Sequence, residues 1–497
     1  MSQNIGRKRT MKKKTIAQIV VLLLILAMAV GTFVVLLVSG KNKTVEAKKE
    51  EGELILLSEV TTCEVFQNVP AWVAEGTKMG EAVEYGQKVF IIDVNGATLD
   101  QYKEYLTLLE RAGFKKHSDN GEEGMEGYVY AAAYTKDALA VTVSFSVRIG
   151  KAYITASENM PLSDYLIYNA ENAKPISADK KTKVHMVQQN ANGNSFIFEL
   201  KNGKYVIHDG GGAADAPYLL DYLEDLTPGN EKPIIEGWFI SHPHGDHYGA
   251  LEEISKDPEQ AARLIVNGVY FVEPSNEQMY RFVSMESDYN KGLNLSVAMI
   301  GVATKAFRTE SGQIPKLYRP QLGQRYYFCD TTVDVSFTSD QLIDVSVTSD
   351  VNDLSAWFMT TIDGQRFMIG GDSGKLGTKT IMRHYDREYF KFDVFAALHH
   401  GINVYDSFTD YCDVQTLLYT SWRSGSIWTD GTWKAAEAEN ARLRSVVEEY
   451  YDHGKGSVVL TFPYVKGTAE IMEPFKWQYN QIPGVPEGRT GWGVENP

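Results

Sequence analysis

The sequence predicts a layered α/β protein that carries its chemistry along one sheet edge, and three observations lead there. Short apolar strands alternate with helical stretches from Lys181 onward, the pattern of a sheet covered by helices. Four of those strands end in aspartate or histidine: "KYVIHD" at Asp209, "PIIEGWFIS" just before His242, "RFMIGGD" at Asp372, and "FDVFAALHH" at His399 and His400. Finally, "SHPHGDHYGAL" sets three of the chain's ten histidines within six positions of one another.

The elements follow in order. Residues 1–14 form a basic tail carrying Arg7, Lys8, Arg9, Lys12, Lys13 and Lys14. Residues 15–38 read as a transmembrane signal anchor, because Ile19 to Val38 is a run of twenty residues without a charge. At a rise of about 1.5 Å per residue such a helix spans roughly 30 Å, the hydrocarbon thickness of a bilayer. The positive flank stays cytoplasmic, so the expectation is a single-pass protein of the cell membrane with its bulk outside. A cleaved signal peptide ending at Ala27-Met28-Ala29 is the alternative. Residues 39–53 are a charged linker.

Beyond residue 50 the chain holds 39 Lys and Arg against 62 Asp and Glu, a net charge of −23. That field disfavours long nucleic acid as a partner, since polyanions bind chiefly through Lys and Arg contacts to phosphate. Nothing in the sequence calls for a protein partner. The three cysteines, Cys63, Cys329 and Cys412, are odd in number and far apart, so no disulfide framework is expected.

Residues 54–180 read as a small α+β domain. A strand and turn lead into a helix with Tyr102, Tyr105, Leu106 and Leu109 on one face, ended by Gly113. Alternating strands follow from Gly127 to Ser157. No chemical motif lies here, which leaves spacing, substrate presentation or packing as its role. Residues 181–475 form the main domain. It contains a helix from Pro217 to Leu226, a hairpin turning at Asp363-Gly364, a helix across "WKAAEAENARLRSVVEEYY" and closing strands at "GSVVLTF" and "TAEIM". Residues 476–497 are a tail.

His242 and His244, two apart in an extended turn, can point at one ion, while Asp246 and His247 can face a second close by. Gly245 lets the backbone turn tightly between the two pairs. The mixed His/Asp donors suit zinc or manganese, one or two ions. The isolated His384 and His453 read as solvated turn residues, and Trp422 and Trp433 as packing residues near the late loops.

The order "HDGGG", "SHPHGDH", "GGD", "HHG" resembles that of the metallo-β-lactamase-fold hydrolases. "HHG" and "NDLS" (Asn352 to Ser355) are similar to the branch holding the hydrolase domain of the competence protein ComEC and the choline-phosphate esterases of teichoic acid. The resemblance covers Lys181 to Met472 and implies an αβ/βα sandwich with metals at one edge. It also implies a hydrolase in which His242 and His244 hold one ion, Asp246, His247 and His399 a second, and Asp372 bridges them. A water activated between the ions attacks the substrate. Asp209 orients the histidine loop through hydrogen bonds. His400, on the opposite side of an extended strand from His399, contacts substrate oxygens or protonates the leaving group; Asn352 is a further substrate contact or an oxygen donor to the first ion. Asp350 and Asp353 are in range for that donor role too. Many members place one more ligand histidine after the motif, whereas here none lies between His247 and His384. The expected substrate is a small or wall-linked phosphodiester. A lactone, thioester or β-lactam hydrolase, or a surface binding module with a degenerate site, are the alternatives.

Overall fold

The computed structural model describes residues 54–475 except 58–60, 62, 86–87, 159, 167–179, 191–192, 230, 285–292, 343–349, 402–405 and 421–440. The expected anchor, Trp422 and Trp433 lie outside the described residues. Among the described residues no helix is long and apolar enough to cross a membrane. Ile55–Pro497 forms one compact unit.

Two sheets face each other across an apolar core. The first runs, edge to edge, Lys316–Tyr318, Gly268–Phe271, Ile234–Ile240, Tyr205–Asp209, Ser195–Glu199, Lys183–Met186, Val458–Thr461 and Glu470–Ile471, with Ile265–Val266 beside Ile234–Ile240. The second runs Arg325–Phe328, Thr331–Phe337, Trp357–Ile362, Gln365–Ile369, Lys391–Ala396, Asp413–Tyr419 and Glu449–Asp452. Alternation along the strands sends Phe196, Phe198, Val206 and Phe239 of one sheet against Phe358, Phe367, Val335 and Val394 of the other. The opposite face of the first sheet, with Ile207, Trp238 and Ile240, is covered by helices Ala216–Leu226, Gly245–Lys256 and Leu293–Thr304. Helix Lys375–His384 covers the second sheet through Ile381. The arrangement is a mixed α/β sandwich of helices, sheet, sheet and helix.

Strand direction brings the chemistry together. Tyr205–Asp209 and Ile234–Ile240 are parallel, as are Gln365–Ile369 and Lys391–Ala396. Each parallel pair therefore delivers its carboxyl ends, and the residues after them, to a common edge.

The segment expected as a small domain folds, within that unit, as an antiparallel seven-stranded sheet whose central strand Leu139–Ser146 is buried on both faces. Helix Leu99–Arg111 starts at a capping box between Thr98 and Gln101 and packs Tyr102, Tyr105 and Leu109 on one face. The other face joins the second sheet of the sandwich: Tyr85, Ile91 and Val129 share a cluster with Met359, Met368 and Phe395. Ser144 Oγ donates to the Leu322 carbonyl at 2.6 Å, and Asn120 Nδ2 to that of Gly323 at 3.0 Å. The sheet thus backs the two-sheet sandwich over a broad apolar surface.

Two sequence expectations are corrected. Residues 441–446 are helical, but Glu449–Asp452 is a strand paired in parallel with Asp413–Tyr419. The sheet edge supplies backbone partners that helical propensity alone does not weigh. His384 and His453 are buried, not solvated. His384 Nδ1 sits 2.9 Å from Ser146 Oγ, and burial pushes the ring down to about 3, so it stays neutral at the domain junction.

Candidate metal centre

The histidine loop leaves strand Ile234–Ile240 at Ser241 and ends on helix Gly245–Lys256, whose N-cap is His244. Gly249 lets that helix lie on the "DGGG" loop, since a Cβ there would stand 2.7 Å from the Ala213 amide nitrogen. Gly371 has φ +51, and a Cβ on it would meet Ser241 Oγ at 2.7 Å. The two ligand-bearing loops touch only because no side chain stands between them.

Asp209 is fully buried at the end of its strand, in the left-handed region with φ 58. Its Oδ1 accepts from the Ser241 amide at 2.7 Å. Its Oδ2 accepts from Ser241 Oγ at 2.9 Å, Asn194 Nδ2 at 2.9 Å and His247 Nδ1 at 2.8 Å. The carboxylate thereby fixes the proton of His247 on Nδ1 and aims Nε2 at Asp372 Oδ1, 3.1 Å away. Ser241 Oγ, already donating to Asp209, also lies 3.1 Å from His242 Nδ1 and accepts its proton. Thr420 Oγ1 stands 2.9 Å from His400 Nδ1 and plays the same part there. Three imidazoles are thus held with Nε2 turned inward.

These inward atoms form two groups that share Asp372. His242, His244 and Asp372 make one; Asp246, His247, Asp372 and His400 make the other, each with donor atoms within 4.8 Å of one another. His242 Nε2 is 2.9 Å from His244 Nδ1, and His400 Nε2 is 3.3 Å from both Asp246 Oδ2 and Asp372 Oδ2. Ligands of a tetrahedral ion at about 2.1 Å stand about 3.4 Å apart, so the spacing fits one ion per group. His247 Nε2 and His400 Nε2 are buried and face carboxylate oxygens at 3.1 and 3.3 Å, an arrangement that suits a cation between them. The donor set fits zinc or another divalent ion.

The structure places His400, where the sequence expectation had His399, in the cluster with Asp246, His247 and Asp372. Strand Lys391–Ala396 ends before them, and both are left-handed, with φ 49 and 55. Extended-strand alternation therefore does not apply. The turn carries His400 into the group with Asp246 and His247, while His399 stays at the rim with its side chain 16% exposed and Nε2 3.6 Å from Asp372 Oδ2. Such strained backbone is typical where function dictates side-chain direction. Asp350 and Asp353 are drawn into local structure. Asp350 Oδ1 accepts from the Asn352 amide, and Asp353 Oδ1 accepts from the amides of Leu376 and Gly377 at the start of helix Lys375–His384. Asn352 is buried, and its Oδ1 has no hydrogen-bond partner among the described residues. Sequence reasoning did not single out Asn194, Ser241, Ser355 or Thr420. Ser355 Oγ accepts from the Asp372 amide at 3.1 Å. Only Ser241, inside the motif, and Ser355, inside "NDLS", carried a local signal.

Residues 190–291 match the family model described as the metallo-beta-lactamase superfamily, a segment that includes Asp209 and the whole histidine loop. The chain is similar to the solved structure of a metallo-beta-lactamase HARLDQ-motif mutant from Cronobacter sakazakii, at 15% identity and a TM-score of 0.26, over 43% of this chain and 75% of that one. It is also similar to a protein of unknown function from Enterococcus faecalis V583, at 12% identity and a TM-score of 0.25, over 44% of this chain and 49% of that one. No curated protein matches.

The electrostatics make a prediction for the metal-free protein. Burial works against charge on His400, yet the Asp372 and Asp246 carboxylates outweigh it and push the ring up to about 9. His247 is raised as well, against its burial, by Asp372, Asp209 and Asp246. Protons thus stand in for the cation. A histidine raised from about 6.5 when unfolded stabilises the fold below that pH and loses its contribution as pH climbs through the folded value. For His400 the loss is up to about 3 kcal/mol. Chelated protein should therefore show a falling melting temperature from pH 6.5 to 9, and metal-loaded protein a much flatter profile. Parallel profiles for the two forms would contradict the assignment of these histidines as ligands.

Proposed function

We propose that this chain is a metal-dependent hydrolase acting on a phosphodiester, held at the outer face of the cell membrane by its N-terminal segment. The observation that carries the hydrolase reading is Asp372: one buried carboxylate shared by two ligand groups at the meeting edge of two sheets. Divalent ions held there would supply charge for both the attacking and the departing oxygen and acidify a water molecule at neutral pH. The protein's own groups do the rest. His242 and His244 would hold the first ion, and Asp246, His247 and His400 the second. Asp246 keeps its negative charge: burial opposes it, but His247 and His400 hold the carboxyl below the ordinary carboxylate range. His399, at the rim and neutral, is placed to donate a hydrogen bond to a substrate oxygen, or to take up the proton released by the attacking water and pass it to the leaving group.

The preference for a diester rests on chemistry and on analogy. Two adjacent cations suit an in-line displacement at phosphorus. "HHG" and "NDLS" resemble the ComEC-like and choline-phosphate esterase branch, which is an argument from likeness. The net charge of −23 beyond residue 50 favours a small or wall-linked diester over long nucleic acid. Membrane attachment rests on the basic residues before the uncharged run Ile19 to Val38.

Zinc- or manganese-loaded full-length protein should hydrolyse bis-p-nitrophenyl phosphate and p-nitrophenyl phosphorylcholine faster than labelled single-stranded DNA. Protease added to intact cells should release that activity. Turnover of a lactone, thioester or lactam with no diester cleaved would overturn the substrate, and metal uptake without turnover of any would favour a binding module. Release of activity only after lysis would overturn the topology.

A further inference from the structure

A second cleft lies at the far end of the same sheet. Strand Gln365–Ile369 carries Asp372 beyond its carboxyl end and Arg366 near its start. Neighbouring strands align Arg325 with Asp334 and Asp334 with Met359, and likewise Thr332 with Thr361 and Thr361 with Arg366. Alternation turns these residues away from the core between the sheets, where Tyr326, Val333, Val335, Phe358 and Phe367 point. They form the floor of a cleft of about 370 Å³, walled by Met125 and Glu126 and by Tyr389. That volume suits a small molecule.

Its charges alternate. Arg325 donates to both oxygens of Asp334, at 2.6 and 2.9 Å. The Arg366 guanidinium stacks over the Tyr389 ring, 5.0 Å from its centre, and Nη2 donates to the Tyr389 carbonyl at 2.8 Å. Glu126 Oε1 approaches Arg366 Nη2 at 3.2 Å from a half-exposed side chain. Glu126 is also left-handed, with φ 51, an uncommon state for a residue with a side chain. Two cations and two anions leave no net charge, so a purely anionic or cationic ligand would strand a charge in the cleft.

We propose that this cleft binds a small zwitterion, its carboxylate or phosphate on Arg366 and its ammonium on Glu126. The Arg366 plane is fixed in advance by Tyr389, which reduces the ordering cost of binding. Burial raises the Glu126 carboxyl despite the neighbouring Arg366, and an ammonium beside it would favour its charged form. The site lies apart from the metal centre and does not rest on the hydrolase reading.

The test is calorimetric titration of the full-length metal-loaded protein with glycylglycine and with phosphorylethanolamine, and with acetate and methylammonium as half-probes. At least one zwitterion should bind below about 10 mM, with each half-probe weaker by at least about tenfold. Binding by one and not the other separates a carboxylate from a phosphate ligand. R366Q and E126Q should each lose at least about tenfold in affinity while their far-ultraviolet circular dichroism stays that of the wild type, and D372A binds as the wild type does. The proposal falls if neither zwitterion binds, if a half-probe binds as well, if R366Q and E126Q leave binding intact, or if D372A abolishes it.

Discussion

Replacing Asp372 with alanine should abolish hydrolysis, by at least about a thousandfold in kcat/KM, while the chain still folds. One oxygen of this carboxylate lies 3.1 Å from His247 Nε2; the other lies 3.3 Å from His400 Nε2 and 4.0 Å from His242 Nε2. Asp372 therefore belongs to both ligand groups, and its loss opens both coordination shells at once. Bound metal should fall with activity, to well under half an equivalent by elemental analysis. Stability is expected to suffer less. The surrounding core is apolar, and the two histidines whose charge Asp372 supports can shed their protons when it is gone. Far-ultraviolet circular dichroism of the variant should overlay that of the wild type. Undiminished turnover with full metal content would remove Asp372 from the site.

Much of this arrangement was legible in sequence because it depends on local pattern. Strand period 2 located Tyr205–Asp209, Ile234–Ile240, Gln365–Ile369 and Lys391–Ala396, and the polar residue at or just after the end of each marked an edge. The spacing of His242, His244, Asp246 and His247 required no tertiary information to read as a ligand cluster. What escaped depended on neighbours distant in sequence. Thr420, just past strand Asp413–Tyr419, meets His400, and Asn194, just before strand Ser195–Glu199, meets Asp209. Neither residue type is unusual where it stands. Glu449–Asp452 has the composition of a helix end and becomes a strand only because Asp413–Tyr419 offers it an edge. The packing of the small domain on the sandwich, through Tyr85, Val129 and Met368, left no periodic trace either.

The sharpest consequence concerns the adjacent histidines, which sequence alternation ordered one way and backbone geometry orders the other. His400→Ala should cost nearly as much activity as Asp372→Ala and should empty the group it shares with Asp246 and His247. His399→Ala should retain metal and lose about ten- to a hundredfold in rate, the usual scale for a group that assists proton transfer or binding. The reasoning is geometric. His400 Nδ1 is anchored by Thr420, its Nε2 faces two carboxylates at 3.3 Å, and the residue is 2% exposed. His399 Nδ1 has no hydrogen-bond partner among the described residues; its side chain is 16% exposed, with one carboxylate oxygen at 3.6 Å from Nε2. Cobalt substitution distinguishes the cases without relying on turnover. The visible d–d bands should collapse or shift strongly in His400→Ala and stay close to wild type in His399→Ala, because only a ligand alters the metal's immediate field. Rescue offers a second line: Thr420→Ser keeps the hydroxyl that holds His400 Nδ1 and should preserve the spectrum, whereas Thr420→Val removes it and should weaken metal binding about ten- to a hundredfold. The opposite pattern, with His399→Ala losing the cobalt bands and His400→Ala keeping them, would restore the order that strand alternation predicts and place the left-handed turn outside the coordination shell.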